Sequence, residues 1–227
     1  MVGTLVNTGC IIAGSVIGSV LKRGIRPKYQ DSLYVAMGIC SLALGVNACV
    51  RNIPNSAYPV LFIVSIALGS LIGAGLNLSD RFNRLVNRKS ADGRLGEGLT
   101  TGVLLFCIGT FSILGPMQSA LQGDNTYLYT NATLDFITSA VLASTYGIGM
   151  IWAAPVLFCW QGMFYLIAKI SESAINTDLM TELQIIGGAL IMASGLSILK
   201  IKDCKTLNMI PSLLMPVLFF LFIHVIQ

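Results

Sequence analysis

Residues 2–21 read VGTLVNTGCIIAGSVIGSVL, twenty positions without a charged side chain. At about 1.5 Å per residue, this run makes a helix about 30 Å long, which is the thickness of the hydrocarbon core of a bilayer. The basic residues Lys22 and Arg23 follow it directly, and no basic residue precedes it. A cleavable signal peptide has a basic segment ahead of a shorter apolar run. We therefore predict that residues 2–21 form a transmembrane helix.

The composition of the whole chain agrees with this interpretation. Its 227 residues are 55% hydrophobic and 11% charged, with a mean hydropathy of +0.79. Soluble domains carry about 25% charged residues, so this chain has too few charged residues for the surface of a soluble protein. We predict one integral membrane domain over residues 1–227, in contact with the lipid bilayer. The length holds at most about ten spans, which excludes a soluble catalytic domain, and we expect no nucleic-acid partner.

Seven further apolar segments are separated by polar or turn-rich stretches: 33–50, 58–78, 98–121, 132–154, 155–170, 183–199 and 207–225. We predict an all-α fold, a polytopic transmembrane helical bundle of about seven or eight spans. The segment 155–170 is short, because a span needs about 20 residues. The longest polar stretch, 79–97, is predicted to be a cytoplasmic loop.

The positions of lysine and arginine predict the orientation, because cytoplasmic loops retain these residues. With the N-terminus outside, the loops after the first, third and seventh segments face the cytoplasm. Those loops hold twelve of the fourteen basic residues: Lys22, Arg23, Arg26, Lys28, Arg81, Arg84, Arg88, Lys89, Arg94, Lys200, Lys202 and Lys205. The opposite side holds Arg51 and Lys169. Both termini are therefore predicted to lie outside.

Three apolar segments resemble one another: IAGSVIGS at 12–19, ALGSLIGAG at 67–75 and IGGALIMASGL at 186–196. One interpretation is a duplicated hairpin unit, since many transporters are built from internal repeats. The other is that glycine-rich apolar helices resemble each other by composition alone. Spacings such as Gly14 to Gly18 let helix backbones approach closely. We expect such packing to explain most of the 23 glycines.

The stretch CIGTFSILGPMQSALQGD at 107–124 has Gly115 and Pro116 at its centre. Proline lacks the backbone donor and clashes with the carbonyl four residues earlier. We therefore predict a broken helix near Gly115-Pro116. In several transporter folds, helices broken in this way form the substrate site.

Asp135 is the acidic residue that the sequence places clearly inside an apolar span. An ionisable side chain there costs about 2.5 to 3.5 kcal/mol on insertion scales and usually faces a wet cavity or the interior of the helix bundle. The alternative is that Asp135 anchors the N-terminal end of its helix at the outer interface. The hypothesis of an ion or substrate pathway takes these residues: Asp135, Ser139, Ser144, Asn131, Gln118, Gly115 and Pro116.

Other polar residues receive structural roles. For Asn7, Gln161 and also Gln118, interhelical hydrogen bonding is favoured. Glu182 is predicted to cap the start of the seventh segment at the interface, and His224 to lie near the interface.

The chain lacks the combinations of residues that soluble enzymes use for catalysis. It has one histidine, no phosphate-binding glycine loop and no pair of carboxylates on one helix face within a span. The six cysteines are scattered without a CxxC pair, so we expect neither disulfides nor a metal site. We expect no enzymatic activity and no cofactor.

The sequence resembles the YqgA/YdfK family of bacterial inner-membrane proteins, a domain of unknown function numbered 554. The resemblance covers essentially the whole chain and is most specific from residue 107 to 162. The matching residues are Gly3, Asn7, Cys107, Gly109, Gly115, Gly123, Asp124, Leu134, Asp135, Ala143, Ser144, Gly147, Gly187, Gly188 and Gly195. In one departure, family members often carry glutamate after the glycine of a GxLIGE motif, whereas Ala74 follows Gly73 here.

The resemblance implies a bacterial cytoplasmic (inner) membrane location and an all-helical fold, and it implies no established activity. Our leading hypothesis is a secondary transporter or channel for a small ion or metabolite of unknown identity. The competing hypothesis is a non-transporting membrane assembly or regulatory protein. The small-residue spacings also suggest a homo-oligomer if they face lipid.

Overall fold

The structure, a computed structural model, describes residues 1–21, 26–86, 99, 102–103, 105–107, 109–170 and 177–226. Regular structure in this part of the chain is helical throughout, which confirms the all-α prediction. The α-helices are α1 Val2–Val20, α2 Pro27–Asn52, α3 Leu61–Gly75, α4 Leu78–Val86, α5 Thr110–Gln122, α6 Thr126–Tyr146, α7 Ala153–Ile170, α8 Thr177–Ile198, α9 Thr206–Met209 and α10 Leu214–Ile226. Single 3₁₀ turns occur at Ile53–Asn55, Ile148–Trp152 and Ile210–Leu213.

Within the described residues, five segments are long and apolar enough to cross a membrane: Val2–Val20, Asp31–Asn55, Ile148–Ile170, Thr177–Ile198 and Thr206–Ile223. They confirm the helical membrane fold. The segment 155–170, which looked short in the sequence, gains length because the turn Ile148–Trp152 precedes α7 directly. Together they cover 23 residues, enough for a span.

The chain divides into two compact units. The first comprises Met1–Leu33 and Phe82–Glu172, and the second comprises Tyr34–Arg81 and Ser173–Gln227. Each unit therefore combines an early and a late part of the sequence, and each has its own buried interior.

In the first unit, α1 and α6 pack side by side and run in the same direction. Gly3 lies against Leu128 near the start of both helices, and Gly18 lies against the backbone of Ala140 near their ends. A Cβ on Gly18 would overlap the carbonyl of Ala140. The predicted role of small residues in close helix packing is therefore confirmed for α1.

In the second unit, α2 and α8 run antiparallel and meet through glycines on both sides. A Cβ on Gly45 would lie 2.6 Å from the carbonyl oxygen of Gly188, and one on Gly195 would lie 3.0 Å from that of Gly38. Gly73 on α3 packs as closely against the backbone of α9. All three similar sequence segments thus pack closely against the backbone of another element. However, α1 runs parallel to its partner α6, whereas α8 runs antiparallel to its partner α2. Such packing does not require a duplicated unit.

The predicted break at Gly115-Pro116 is wrong. The helix α5 continues through Pro116 and ends at Gln122. The residue before a proline is normally driven out of the α region by a clash with its Cβ, and Gly115 has no Cβ. The interruption lies earlier, at Gly109, where φ −66° and ψ 147° are extended. Residues 105–107 before it are helical, and part of the predicted segment 98–121 lies outside the described residues.

The helix that corresponds to the predicted segment 132–154 also begins and ends earlier than predicted. This helix, α6, begins at Thr126 and ends at Tyr146. Gly147 then takes φ 92° and ψ −176°, a conformation essentially reserved for glycine. The polar stretch 79–97, predicted to be a loop, begins with α4 as far as Val86, and residues 87–97 lie outside the described part of the chain.

Gly147→Ala is expected to lower the free energy of unfolding by about 1 to 3 kcal/mol, because alanine strains the backbone at this φ. The measurement is denaturant unfolding of the purified protein in detergent micelles. Gly162→Ala is the matched control, since a Cβ on this helical glycine meets only the Met1 side chain, at an ordinary 3.5 Å. Equal stabilities of the two variants would contradict the conformation given to Gly147.

Candidate functional site

Asp135 lies in the interior of the first unit, in the middle of α6. It is the tenth residue of a helix of 21 and is 5% exposed. At about 1.5 Å per residue, it lies about 14 Å from the first residue of that helix. The interpretation of Asp135 as an anchor at the helix end is therefore wrong. Asp124 lies at the start of this helix instead, where its Oδ1 accepts from the backbone N–H of Thr126 at 2.8 Å.

A chain of hydrogen bonds joins Asp135 to the interruption before α5. The Asn131 amide donates to Asp135 Oδ2 at 2.8 Å and to Ser112 Oγ at 3.0 Å. The Ser112 hydroxyl in turn donates to the carbonyl of Phe106, on the far side of Gly109. These side chains therefore connect the carboxyl directly to the point where the helix is interrupted.

The N-terminal end of α5 lies within one helical turn of Asp135 along the hairpin. The helices α5 and α6 form an antiparallel hairpin, in which Ser119 bonds to Asn125 and Ser112 bonds to Asn131. Beyond this pair, α5 begins two residues away at Thr110, and Asp135 lies four residues away on α6, so the two are about half a turn apart along the hairpin. The first backbone N–H groups of a helix have no partner within it, and they carry partial positive charge. This helix end therefore favours negative charge at Asp135.

Across the interior, α1 supplies a second amide to the same carboxyl. Asn7 is fully buried and interacts with Asp135, but neither its Nδ2 nor its Oδ1 has a hydrogen-bond partner of normal geometry. The thiols of Cys10 and Cys107 lie within electrostatic range of the carboxyl. No described lysine, arginine or histidine pairs with Asp135, so its surroundings are polar but uncharged.

Thr4 and Gln161 are among the other buried polar side chains of the first unit that lack partners. Thr4 is on the same face of α1 as Asn7 and Ile11, and Gln161 is on the same face of α7 as Leu157. Ile11 and Leu157 belong to one apolar cluster, and further along α7 Gly162 lies near Met1. The two helices are therefore antiparallel, and both side chains lie on the Met1 side of this cluster. Both are fully buried.

The structure separates the other residues of the predicted pathway. Ser139 is buried against Gly14 on α1 and donates to the Phe136 carbonyl at 3.0 Å. Ser144 donates to the Val141 carbonyl and lies about 13 Å along the helix from Asp135. Gln118 donates weakly to Asp124 at 3.3 Å, at the far end of the hairpin.

Gly115 and Pro116 are buried within α5, and Gly115 packs against Leu128. Of the predicted set, Asp135 and Asn131 are therefore directly bonded to each other. Ser112 was missed by the sequence reasoning, although it lies in the quoted stretch 107–124. A lone serine carries no signal of its partners, since its contact to Asn131 depends on the hairpin.

Glu182 is a second buried acid, in the second unit. The prediction that it caps a helix at the interface is wrong, because α8 begins at Thr177 and Glu182 is fully buried. Its Oε1 accepts a hydrogen bond from the Ser56 hydroxyl, and its Oε2 has no partner. Among the residues that the structure describes, each unit therefore has one buried carboxyl group. Among the described residues, no three His, Cys, Asp or Glu side chains are grouped as a metal site.

Comparison with known proteins identifies the relatives of this chain. A family model described as "Protein of unknown function (DUF554)" matches residues 2–221. The chain is 58% identical over 224 residues to "Uncharacterized membrane protein YdfK" of Bacillus subtilis, covering 99% of this chain and 97% of that protein. It is 26% identical over 228 aligned positions to "Uncharacterized protein YqgA" of Escherichia coli, covering 95% and 94%. No solved structure matches.

The resemblance in the sequence is thereby confirmed, and the description of YdfK as a membrane protein agrees with the apolar helices of the structure. The chain belongs to the DUF554 family and is an integral membrane protein.

Proposed function

We propose that this protein is a secondary transporter or channel for a small ion or metabolite, and that Asp135 binds the transported species. The observation that carries the proposal is the buried carboxyl in the middle of α6, which faces the Asn7 amide, a group without a hydrogen bond of normal geometry. An acid at such a depth costs about 2.5 to 3.5 kcal/mol on insertion scales. Packing alone does not offset that cost, whereas interactions with a bound ligand do.

The polar groups around Asp135 suit a small polar ligand. Its carboxyl oxygens and the Asn7 amide oxygen are acceptors, and the Asn7 amide nitrogen is a donor. Unpaired buried donors and acceptors are rare in folded proteins and are normally satisfied by a neighbour or a ligand. We propose that the ligand satisfies Asn7 and Asp135 together.

The interrupted helix supports the same function. With 13 residues, α5 is about 20 Å long, too short to cross a hydrocarbon core of about 30 Å. Its N-terminal end lies within one helical turn of the carboxyl. Short helices that end at membrane depth beside a binding residue are a recurrent construction of transporters. The interruption before α5 also provides a hinge, since Gly109 has an extended backbone where an uninterrupted helix would need a helical one.

The direct test is flux in proteoliposomes over a panel of inorganic ions and small metabolites, with wild type beside Asp135→Asn. Asparagine keeps the shape and removes the charge. A hydrogen bond to a charged group contributes about 1.5 to 3 kcal/mol, so we expect the flux of the transported species to fall about 10- to 100-fold.

Asp178→Asn is the matched control, because it makes the same substitution at an exposed position on α8 and should leave the flux unchanged. Equal flux for wild type and Asp135→Asn would remove Asp135 from the mechanism. No flux of any solute by the wild type, with a protein partner copurifying in stoichiometric amount, would favour a membrane assembly or regulatory protein instead.

A further inference from the structure

The second unit holds a buried carboxyl that the proposed transport site does not use. Glu182 is fully buried on α8, the helix with the largest buried share among the candidate spans. Its polar contact among the described residues is the hydroxyl of Ser56. The other carboxyl oxygen, Oε2, is buried without a partner.

The hydroxyl of Ser56 is held in one orientation. Its Oγ accepts a hydrogen bond from the backbone N–H of Tyr58 at 3.1 Å. A serine hydroxyl has one proton to donate, and that proton points to Glu182. Ser56 is half-buried, and its neighbours Asn55 and Ala57 are exposed. The hydroxyl therefore lies between the buried carboxyl and the surface of the segment 53–60.

No charged side chain that the structure describes on the neighbouring elements compensates Glu182. On α2, the Cys49 thiol is directed at the carbonyl of Ile185, and Arg51 is exposed. The ring of Tyr58 packs against two phenylalanines of α10, and Asp178, one turn earlier on α8, is exposed. The side chain of His224 on α10 lies outside the described side chains. The described surroundings of Glu182 are thus neutral.

We propose that Glu182 and Ser56 form a proton-binding site in the second unit, which exchanges its proton with water at the segment 53–60. A metal cation such as Ca²⁺ or Mg²⁺ takes six or more oxygen ligands, whereas a proton needs one. Proton binding neutralises the buried carboxylate, which no described cation does. The site is independent of Asp135 and of any transported solute.

The exchange passes through the serine hydroxyl. A hydronium ion at the surface donates a proton to Ser56 Oγ, while the proton already on Oγ moves to Glu182 Oε1. Water is left at the surface, the hydroxyl is restored, and the carboxyl is neutral. Release runs through the same bonds in reverse.

The first experiment labels the purified full chain in liposomes with dicyclohexylcarbodiimide, which adds to protonated carboxyl groups in apolar surroundings. We expect the adduct at Glu182, located by peptide mass spectrometry, to increase as the pH is lowered. The exposed Asp178 is the internal control and should remain largely unlabelled. Absence of the adduct at every pH at which the protein stays folded would overturn the proposal.

The second experiment separates proton relay from a structural role of Ser56. After a rapid drop in pH, the infrared band of the protonated carboxyl, assigned by its loss in Glu182→Gln, gives the rate of protonation. Ser56→Ala should slow this rate by about 100-fold, the typical contribution of a positioned proton-transfer group. Ser56→Thr keeps the hydroxyl and should retain the rate. An unchanged rate in Ser56→Ala would overturn the relay. If Glu182→Gln does not fold, the carbodiimide adduct formed at successive times gives the same comparison.

Discussion

Gly18→Leu is expected to lower the free energy of unfolding of the first unit by about 3 kcal/mol, the upper end of the usual cost of overpacking. A Cβ at this position already overlaps the backbone carbonyl, carbonyl carbon and Cα of Ala140. Because the obstacle is backbone and not a flexible side chain, α1 and α6 must separate. Their separation would also withdraw Asn7 from Asp135.

Gly9→Leu is the matched control for this variant. Gly9 lies on the same helix and is exposed, and a Cβ added there would have no atom within 4 Å. Leucine has a better helix propensity than glycine by up to about 1 kcal/mol, so this variant should be as stable as wild type or slightly more stable. Denaturant unfolding in micelles, followed by tryptophan fluorescence, measures both. Similar losses in the two variants would show that α1 does not pack as described.

Gly73→Leu should have an effect of similar size, about 3 kcal/mol, in the second unit. A Cβ on Gly73 overlaps the backbone carbonyl of Asn208 on α9. The Asn208 side chain also accepts from the backbone N–H of Ser79 at 2.7 Å, and so caps the start of α4. Moving Asn208 should therefore release the first turn of α4 as well as destabilise the unit.

Hydrogen exchange measured by mass spectrometry tests this consequence. The amides at the start of α4 should exchange faster in Gly73→Leu than in wild type. Gly75→Leu, two residues away, is the control, because that glycine is exposed and a Cβ there has no atom within 4 Å. Exchange that is unchanged in Gly73→Leu would mean that Asn208 does not hold α4.

Both glycine predictions follow from a feature that the sequence shows in part. The spacing of Gly14 and Gly18, repeated at Gly69 and Gly73, predicts close packing. It does not show which helix is approached, since a partner distant in the sequence leaves no mark on the spacing. It also does not distinguish Gly18 from Gly9, whose difference is the helix face that each occupies.

The candidate site was predictable to a similar extent. Asp135 stands out in the sequence because a carboxyl in an apolar segment is costly, and Asn131 follows from helical spacing. Nearness in the sequence places Gln118 and Ser144 with them, whereas the structure places these two elsewhere. The sequence predicts a break at Pro116, because proline is the usual cause of one. It lies instead at Gly109, a position without a comparable local signal.

Glu182 is a residue whose burial the sequence does not predict. In the sequence it precedes the apolar segment 183–199 and so reads as an interfacial residue. In the structure α8 begins five residues earlier, and packing within the second unit encloses the side chain. The hydropathy of one segment does not show whether other helices pack against it and bury its side chains.

The sequence by itself determined that this is a helical membrane protein of the DUF554 family, with one clear acidic residue inside an apolar segment and glycines spaced for close packing. Those properties depend on composition and on short-range periodicity, which a single chain displays in full. The tertiary structure alone decided that Asn7 and Ser112 join the surroundings of Asp135, that α5 begins within one turn of it, and that Glu182 is buried beside Ser56. These depend on contacts between residues far apart in the chain, and only the packing of the helices brings such residues together.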